Sequence, residues 1–326
     1  MNTSSAPLNT GPNTRDHGGG LDAAIARFGG DRADWIDLST GINPTSYPLP
    51  AIPDRFWQAL PDSGDQAALK SAARAFWSIP DTADIAAASG VSALIAALPR
   101  LAPAAQVGIA QPTYNEHAAS FAAFGWAVQT DTAATNVYVH PNNPDGRLWP
   151  LETIRENHKT LTIIDESFCD TTPDQSHIHL ASERGFIILK GLGKFWGLAG
   201  LRLGFAVAHP ETIAQLEQML GPWAISGPAQ HVGATALSDA KWATEMRASL
   251  TSDAARLDQI MATAGATNPC GTTLFRTYHV ANAQAWFEKL AHNHILSRIF
   301  PYSDTMIRLG LPRLTDQWSR LQQVLE

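Results

Sequence analysis

Between about residues 67 and 220 the chain alternates two kinds of hydrophobic spacing. The segments DQAALKSAARAFW (65–77) and SALIAALPRLA (92–102) carry apolar residues three and four apart, the mark of a helix with one buried face. Between and after them come short runs rich in β-branched or aromatic residues: QVGIA, NVYVH, LTIIDES, GFIILK and RLGFAVA. Gly, Pro and Asn bound these runs, so they predict buried strands. Strands and helices taken in turn predict βαβ units, and hence a mostly parallel sheet with helices on both faces. After Pro210 the pattern changes. PETIAQLEQML predicts a helix, and the tract from Pro228 to about Gly265 predicts helix with a break near Ser238. TTLFRTYHV, AQAWFEKLAHN, ILSRIF and DTMIRLGLP then read strand, helix, strand, strand, which suits a compact α+β unit. The expected fold class is therefore α/β. A large domain is expected over 45–240, with a small α+β domain built from 1–44 and 241–326; residues 1–16 are expected to be mobile.

Composition narrows the function. The chain has 326 residues, 44% apolar and 16% charged, enough to bury a substantial core. A net charge of −7 without any cluster of Lys and Arg argues against nucleic acid or an anionic membrane as partner. Cys169 and Cys270 are the two cysteines, so neither a disulfide framework nor a thiolate metal site is encoded, and the expected setting is the reducing cytoplasm. No apolar run approaches the roughly 20 residues that a spanning helix needs. The N-terminus lacks the apolar stretch of a signal peptide.

Polar residues punctuate the chain where strands end, the place at which α/β sheets bind ligands. Asp165 closes LTIIDES, and a buried strand ending in an acid resembles a nucleotide hydrolase. That reading requires GxxxxGK[ST] upstream. The chain has none, since KGLGKF lies downstream and offers Phe where Ser or Thr must meet the metal. Asp165, Lys194 and Arg202 make better sense as one site: an acid at one strand end, a lysine after the next strand, an arginine at the start of a third. Pyridoxal 5'-phosphate asks for that trio. A lysine amine takes its aldehyde as a Schiff base, a carboxylate keeps its ring nitrogen protonated, and a cation with backbone N–H groups holds its phosphate.

The surrounding motifs carry a resemblance. GLGKFWGLAGLRLGF resembles the lysine segment of fold-type I aminotransferases, PNNPDG their N-P-x-G turn, IIDESF their D-E-x-[YF] strand end and PTYNEH their P-T-[YF] segment. The resemblance implies a fold-type I architecture and a role for each matching residue. Lys194 would form the Schiff base and carry the proton at Cα. Asp165 would pair with the pyridine nitrogen, Asn143 would donate to the ring 3-hydroxyl, and Tyr114 would stack on the ring. Arg202 with Gly90, Val91 and Ser92 would bind the cofactor phosphate, and Arg308 the substrate carboxylate. Three positions depart from the family. Gly191 replaces a Ser or Thr whose hydroxyl meets the phosphate, which lowers the expected cofactor affinity, with Lys190 beside it. Phe168 replaces a frequent Tyr, and Leu60 stands where relatives present a Tyr to the partner subunit.

HGGGLDAAIARFGG followed by WIDLSTGINPTSYP resembles the opening of the threonine-phosphate decarboxylases of cobalamin biosynthesis, with Gly20 in place of a common Asn. In that group His17, Gly18, Gly19 and Arg298 would face a substrate phosphate, while Gly41 and Asn43 would line the substrate side. The resemblance thus implies a phosphorylated amino acid substrate and a homodimer, with no metal. Two outcomes stay open: loss of CO2 from O-phospho-threonine, or transamination of a phosphorylated amine such as histidinol phosphate. A third reading, a cofactor-binding scaffold without catalysis, disagrees with the presence of both Lys194 and Asp165.

Overall fold

The computed structural model describes residues 17–326. The stretch 1–16, expected to be mobile, lies outside the described residues. Two compact units emerge: Thr45–Arg247, and the described part of 1–44 together with Ala248–Glu326. The second division falls inside the helix Ala240–Thr263.

In chain order the strands are β1 (Ile36–Asp37), β2 (Asp84–Ala88), β3 (Gln106–Ile109), β4 (Ala127–Gln129), β5 (Thr135–Val139), β6 (Leu161–Asp165), β7 (Phe186–Gly191), β8 (Gly204–Ala208), β9 (Thr267–Thr272), β10 (Phe275–His279), β11 (Ile295–Leu296), β12 (Arg298–Phe300) and β13 (Ser303–Gly310). The unit Thr45–Arg247 is built on a seven-stranded sheet of order β2-β8-β7-β6-β5-β3-β4. The pairs from β7 to β4 are parallel, and β8 runs antiparallel to both its neighbours, so the sheet is mostly parallel as expected. Every residue of β5, β6, β7 and β8 is buried. Such strands are covered on both faces, which is why they read as continuous apolar runs. Ile163, Ile187, Leu189 and Val137 lie in one core cluster with Leu94, Leu98 and Phe121 from the helical segments.

The helices obey local rules. Ser63–Trp77 starts where the Asp62 carboxylate accepts from the Asp65 amide at 3.0 Å, and it buries Leu69, Ala73 and Trp77, one residue per turn. Its end is marked by Ser78 at φ +52°. The break expected near Ser238 separates Gly227–Leu237 from Ala240–Thr263.

The other unit holds the four-stranded antiparallel sheet β12-β13-β10-β9 and the parallel pair β1-β11. Leu21–Phe28 and Ala283–Ala291 pack here through Ala24, Trp35, Phe287, Ala291 and Leu296. Strands β1, β2, β4 and β9 are not among those the spacing predicts.

Candidate active site

Register brings the predicted residues of the large unit to one edge of its sheet. Val139 lies opposite Asp165 and Asp165 opposite Leu189, so β5, β6 and β7 end level. The ladder continues past them, with the His140 amide on the Asp165 carbonyl (2.8 Å) and the Glu166 amide on the Leu189 carbonyl (2.9 Å). Because β8 is antiparallel it begins at this edge, with Gly204 opposite Gly191, and β2 ends there, with Ala88 opposite Gly204. Chain leaving β2, β3, β5, β6 and β7, and chain entering β8, must therefore meet. Gly90, Val91, Ser92, Tyr114, Asn143, Asp165, Lys194 and Arg202 all line one cavity of about 220 Å³.

Asp165 is 2% exposed. One carboxylate oxygen accepts from His117 Nε2 at 2.8 Å; the other accepts from the Ser167 amide at 3.0 Å and from the Ser167 hydroxyl at 2.5 Å. Burial alone would push this carboxyl upward, but the hydrogen bonds and charge of its neighbours outweigh burial and hold it below the usual carboxylate range. An ionised acid at the floor of the cavity suits a protonated ring nitrogen. His117 itself is fully buried, and its ring meets that of Tyr114 edge-on at 6.1 Å. The sequence reading quoted His117 within PTYNEH without giving it a role. Tyr114 is the extended residue just before the helix Asn115–Ala123, in which His117 is the third residue.

Two loops set Tyr114 and Asn143. The Asn142 side chain donates to the Pro112 carbonyl at 3.0 Å and accepts from the Thr113 hydroxyl at 2.5 Å, tying 111–114 to 140–147. It also donates to Asp145 at 2.7 Å, closing the turn that ends at Gly146 with φ +72°. Three cis peptide bonds, before Pro112, Pro141 and Pro144, lie in these loops.

At the opposite wall, glycines admit a close backbone approach. A Cβ on Gly204 would stand 2.3 Å from the Val91 amide nitrogen, and one on Gly90, at φ +86°, would stand 2.6 Å from a terminal nitrogen of Arg202. The Arg202 guanidinium thus rests on the turn that begins Val91–Ala97, donating to the Ala199 carbonyl at 3.2 Å. Gly191 has a packing reason as well: a Cβ there would be 2.8 Å from Cγ2 of Val91. Its neighbour Lys190 is no phosphate ligand, for it is 2% exposed and its ammonium meets Glu166 at 2.5 Å. Lys194 is half-buried, with its ammonium 5.4 Å from the centre of the Phe168 ring. Leu60 is exposed.

The smaller unit gathers the remaining predicted residues. His17, Ser39 and Arg298 line a second cavity of about 510 Å³. The Gly19 amide donates to the Ser39 hydroxyl at 2.7 Å, and a Cβ on Gly18 would collide with the Ser39 carbonyl at 2.3 Å. Arg308 is buried and donates to the same carbonyl at 2.7 Å. Arg298 and Arg308 are direct partners across the antiparallel pair β12 and β13, so both guanidinium groups leave one face of the sheet. Gly41 and Asn43 are buried in the segment after β1. Among the described residues no group of three His, Cys, Asp or Glu is disposed to hold a metal ion, and no helix is long and apolar enough to cross a membrane.

The family model described as "Aminotransferase class I and II" matches residues 137–318. A threonine-phosphate decarboxylase from a Sinorhizobium species is 39% identical over 330 residues, covering 94% of this chain and 98% of that protein. One from Pseudomonas aeruginosa is 35% identical over 326 residues, covering 95% and 97%. Among solved structures, a histidinol-phosphate aminotransferase from Sinorhizobium meliloti in complex with pyridoxal-5'-phosphate superposes with a TM-score of 0.80 at 20% identity, covering 94% of each chain.

Proposed function

The chain belongs to the aminotransferase class I and II family, and on that premise we propose that it is a pyridoxal-phosphate-dependent decarboxylase converting L-threonine O-3-phosphate to (R)-1-amino-2-propanol phosphate for cobalamin biosynthesis. The cavity fits the cofactor: it offers a lysine, an acid held ionised, and an arginine packed on a glycine turn with adjacent amides. When bound, the cofactor supplies an electron sink for the pair left at the substrate Cα. Lys194 would hold the cofactor through its aldehyde carbon, and its amine would carry the proton to the substrate Cα. Asp165 would keep the ring nitrogen protonated, Tyr114 would cover the ring, and Asn143 would donate to the 3-hydroxyl. Arg202 and the Gly90–Ser92 amides would hold the cofactor phosphate.

The observation that carries the substrate is the placement of Arg298 opposite Arg308. The pairing sets two guanidinium groups side by side on one face of the sheet, and a guanidinium binds phosphate and carboxylate alike. A substrate with both a phosphate and a carboxylate gives each arginine its own anion. Histidinol phosphate carries the phosphate alone. Arg308 would take the carboxylate, for which a bidentate guanidinium is suited, and Arg298 with His17 and the Gly18 amide would take the phosphate, while the Gly19 amide stays on the Ser39 hydroxyl. Gly41 and Asn43 would line the substrate side. The bond from Cα to the carboxylate breaks, CO2 leaves, and Lys194 returns a proton to Cα. The protein acts as a homodimer in the cytoplasm. Supplying the holoprotein with O-phospho-L-threonine and no 2-oxo acid tests the reading. CO2 release is expected, whereas product formed only after a keto acid is added would replace decarboxylation by transamination.

A further inference from the structure

Behind the cavity lies a buried charge cluster for which the chemistry above has no use. Side chains alternate along a strand, and the cavity wall takes in Asp165 and Gly191 but neither Glu166 nor Lys190. Those two meet on the far side of the sheet, where Lys190 Nζ lies 2.5 Å from Glu166 Oε2. Glu166 also accepts from the His177 amide at 2.6 Å and the Ser176 hydroxyl at 2.5 Å. Lys190 stands 3.9 Å from Asp170 as well. Asp170 in turn accepts from two indoles, Trp77 at 2.8 Å and Trp196 at 3.0 Å. Glu166, Asp170 and Lys190 are each 5% exposed or less, and Trp196 is fully buried.

The sequence positions give this cluster its meaning. Glu166 is the residue after Asp165. Lys190 precedes Lys194 by four residues and Trp196 follows it by two. Lys194 is therefore bracketed by two groups, each bonded to an acid in the segment that leaves Asp165.

We propose that the Lys190–Glu166 ion pair and the Asp170–Trp196 hydrogen bond are positioning elements that fix Lys194 relative to Asp165, and so set how the cofactor is held. The inference rests on the reading that these two residues engage the cofactor. It asks more than stability of the pair, since a buried ion pair is in general replaceable by apolar groups at little cost, while removal of one partner strands a charge. Burial works against charging each group; it prevails at Asp170, whose carboxyl it pushes up, but not at the Lys190–Glu166 pair. The mutual charge and hydrogen bonds hold Glu166 below its ordinary range and Lys190 above its own.

Two variants separate positioning from packing. Glu166→Gln/Lys190→Met removes both charges of the pair together and leaves Asp170 to its two indole donors. Trp196→Phe keeps an aromatic ring in the core but deletes the N–H together with the five-membered part of the indole. In each, the thermal midpoint of the holoprotein, the pyridoxal-phosphate Kd, the pH midpoint of the bound cofactor's visible absorbance, and kcat with KM are measured. Melting within a few degrees of the unaltered protein is expected, together with a Kd raised fivefold or more, a displaced absorbance midpoint, and a kcat lowered at nearly unchanged KM. Retention of Kd, midpoint and kcat in both variants would overturn the proposal, leaving the cluster a matter of stability alone. Should the double variant not fold, Trp196→Phe decides by the same readings. An unaltered protein that shows no visible band with pyridoxal phosphate, or a Lys194→Ala variant that retains the band, would sink the underlying site reading instead, and this proposal with it.

Discussion

Replacing Gly90 by Ala perturbs the phosphate end of the cavity in two separable ways. The residue sits at φ +86° and ψ 160°, a region open in practice to glycine alone. An alanine held there costs about 1–3 kcal/mol, with or without cofactor. That cost appears as a lower melting temperature, roughly 2–4 °C for each kcal/mol in a unit of about 200 residues. The second effect depends on the cofactor. The new Cβ would stand 2.6 Å from the Arg202 guanidinium, well inside contact distance, and a long flexible side chain gives way before backbone does. Arg202 must then leave the turn where it would meet the phosphate. Loss of one hydrogen bond to a charged group is worth about 1.5–3 kcal/mol, or roughly ten- to a hundredfold in Kd. Calorimetric melting of the apoprotein and titration with pyridoxal phosphate read the two effects apart. A Gly90→Ala protein that melts lower but binds cofactor with unaltered Kd would refute the placement of Arg202 at the phosphate.

Other expectations follow from the same geometry. His117→Ala withdraws the donor at 2.8 Å from Asp165, so the acid is held less firmly in its charged form. Its loss should lower kcat about tenfold, taking the low end of the energy of a hydrogen bond to a charged group; wild-type turnover in that variant would contradict the link. Acid should destabilise the protein in two stages. His140 is drawn below its ordinary value first by burial, and its Nδ1 accepts from the Trp149 amide at 3.0 Å while its Nε2 meets the Gln175 carbonyl at 2.8 Å. The unfolded chain thus takes up this proton first, and stability should begin to fall below about pH 6.5. Asp165 and Glu166 are both held low, so their stabilisation is present above about pH 4.3 and is lost as pH drops further. Melting temperatures that stay flat from pH 7 to 5 would contradict the His140 assignment.

Much of the large unit could be read in advance because buried parallel strands are apolar on both faces. The runs that became β5, β6 and β7 announce themselves through Ile, Leu and Val, and the acid and lysine stand where the strands stop. β2 is different: its DIAAA is as good a helix sequence as a strand, and only its pairing with β8 decides. β4 is a three-residue edge strand with exposed positions, and β9 holds a Pro and a Gly that local rules score against strand. At the site, Gly191 looked like a missing hydroxyl. In three dimensions it is a position that the Val91 side chain leaves to glycine. Lys190 stands beside Gly191 in the chain, yet strand alternation turns it to the far side of the sheet, onto Glu166. The Glu166–Lys190 pair spans 24 residues of chain, and no local pattern connects its members.

Two lysines four residues apart compete for the central role, and chemistry can tell them apart. The holoprotein should be reduced with borohydride, digested, and its peptides weighed for covalently attached pyridoxyl phosphate. With Lys190 buried against Glu166 and Lys194 in the cavity wall, the label is expected on Lys194 alone. Label on Lys190, or an unlabelled protein that still turns over O-phospho-L-threonine, would contradict the assignment on which the proposed chemistry stands.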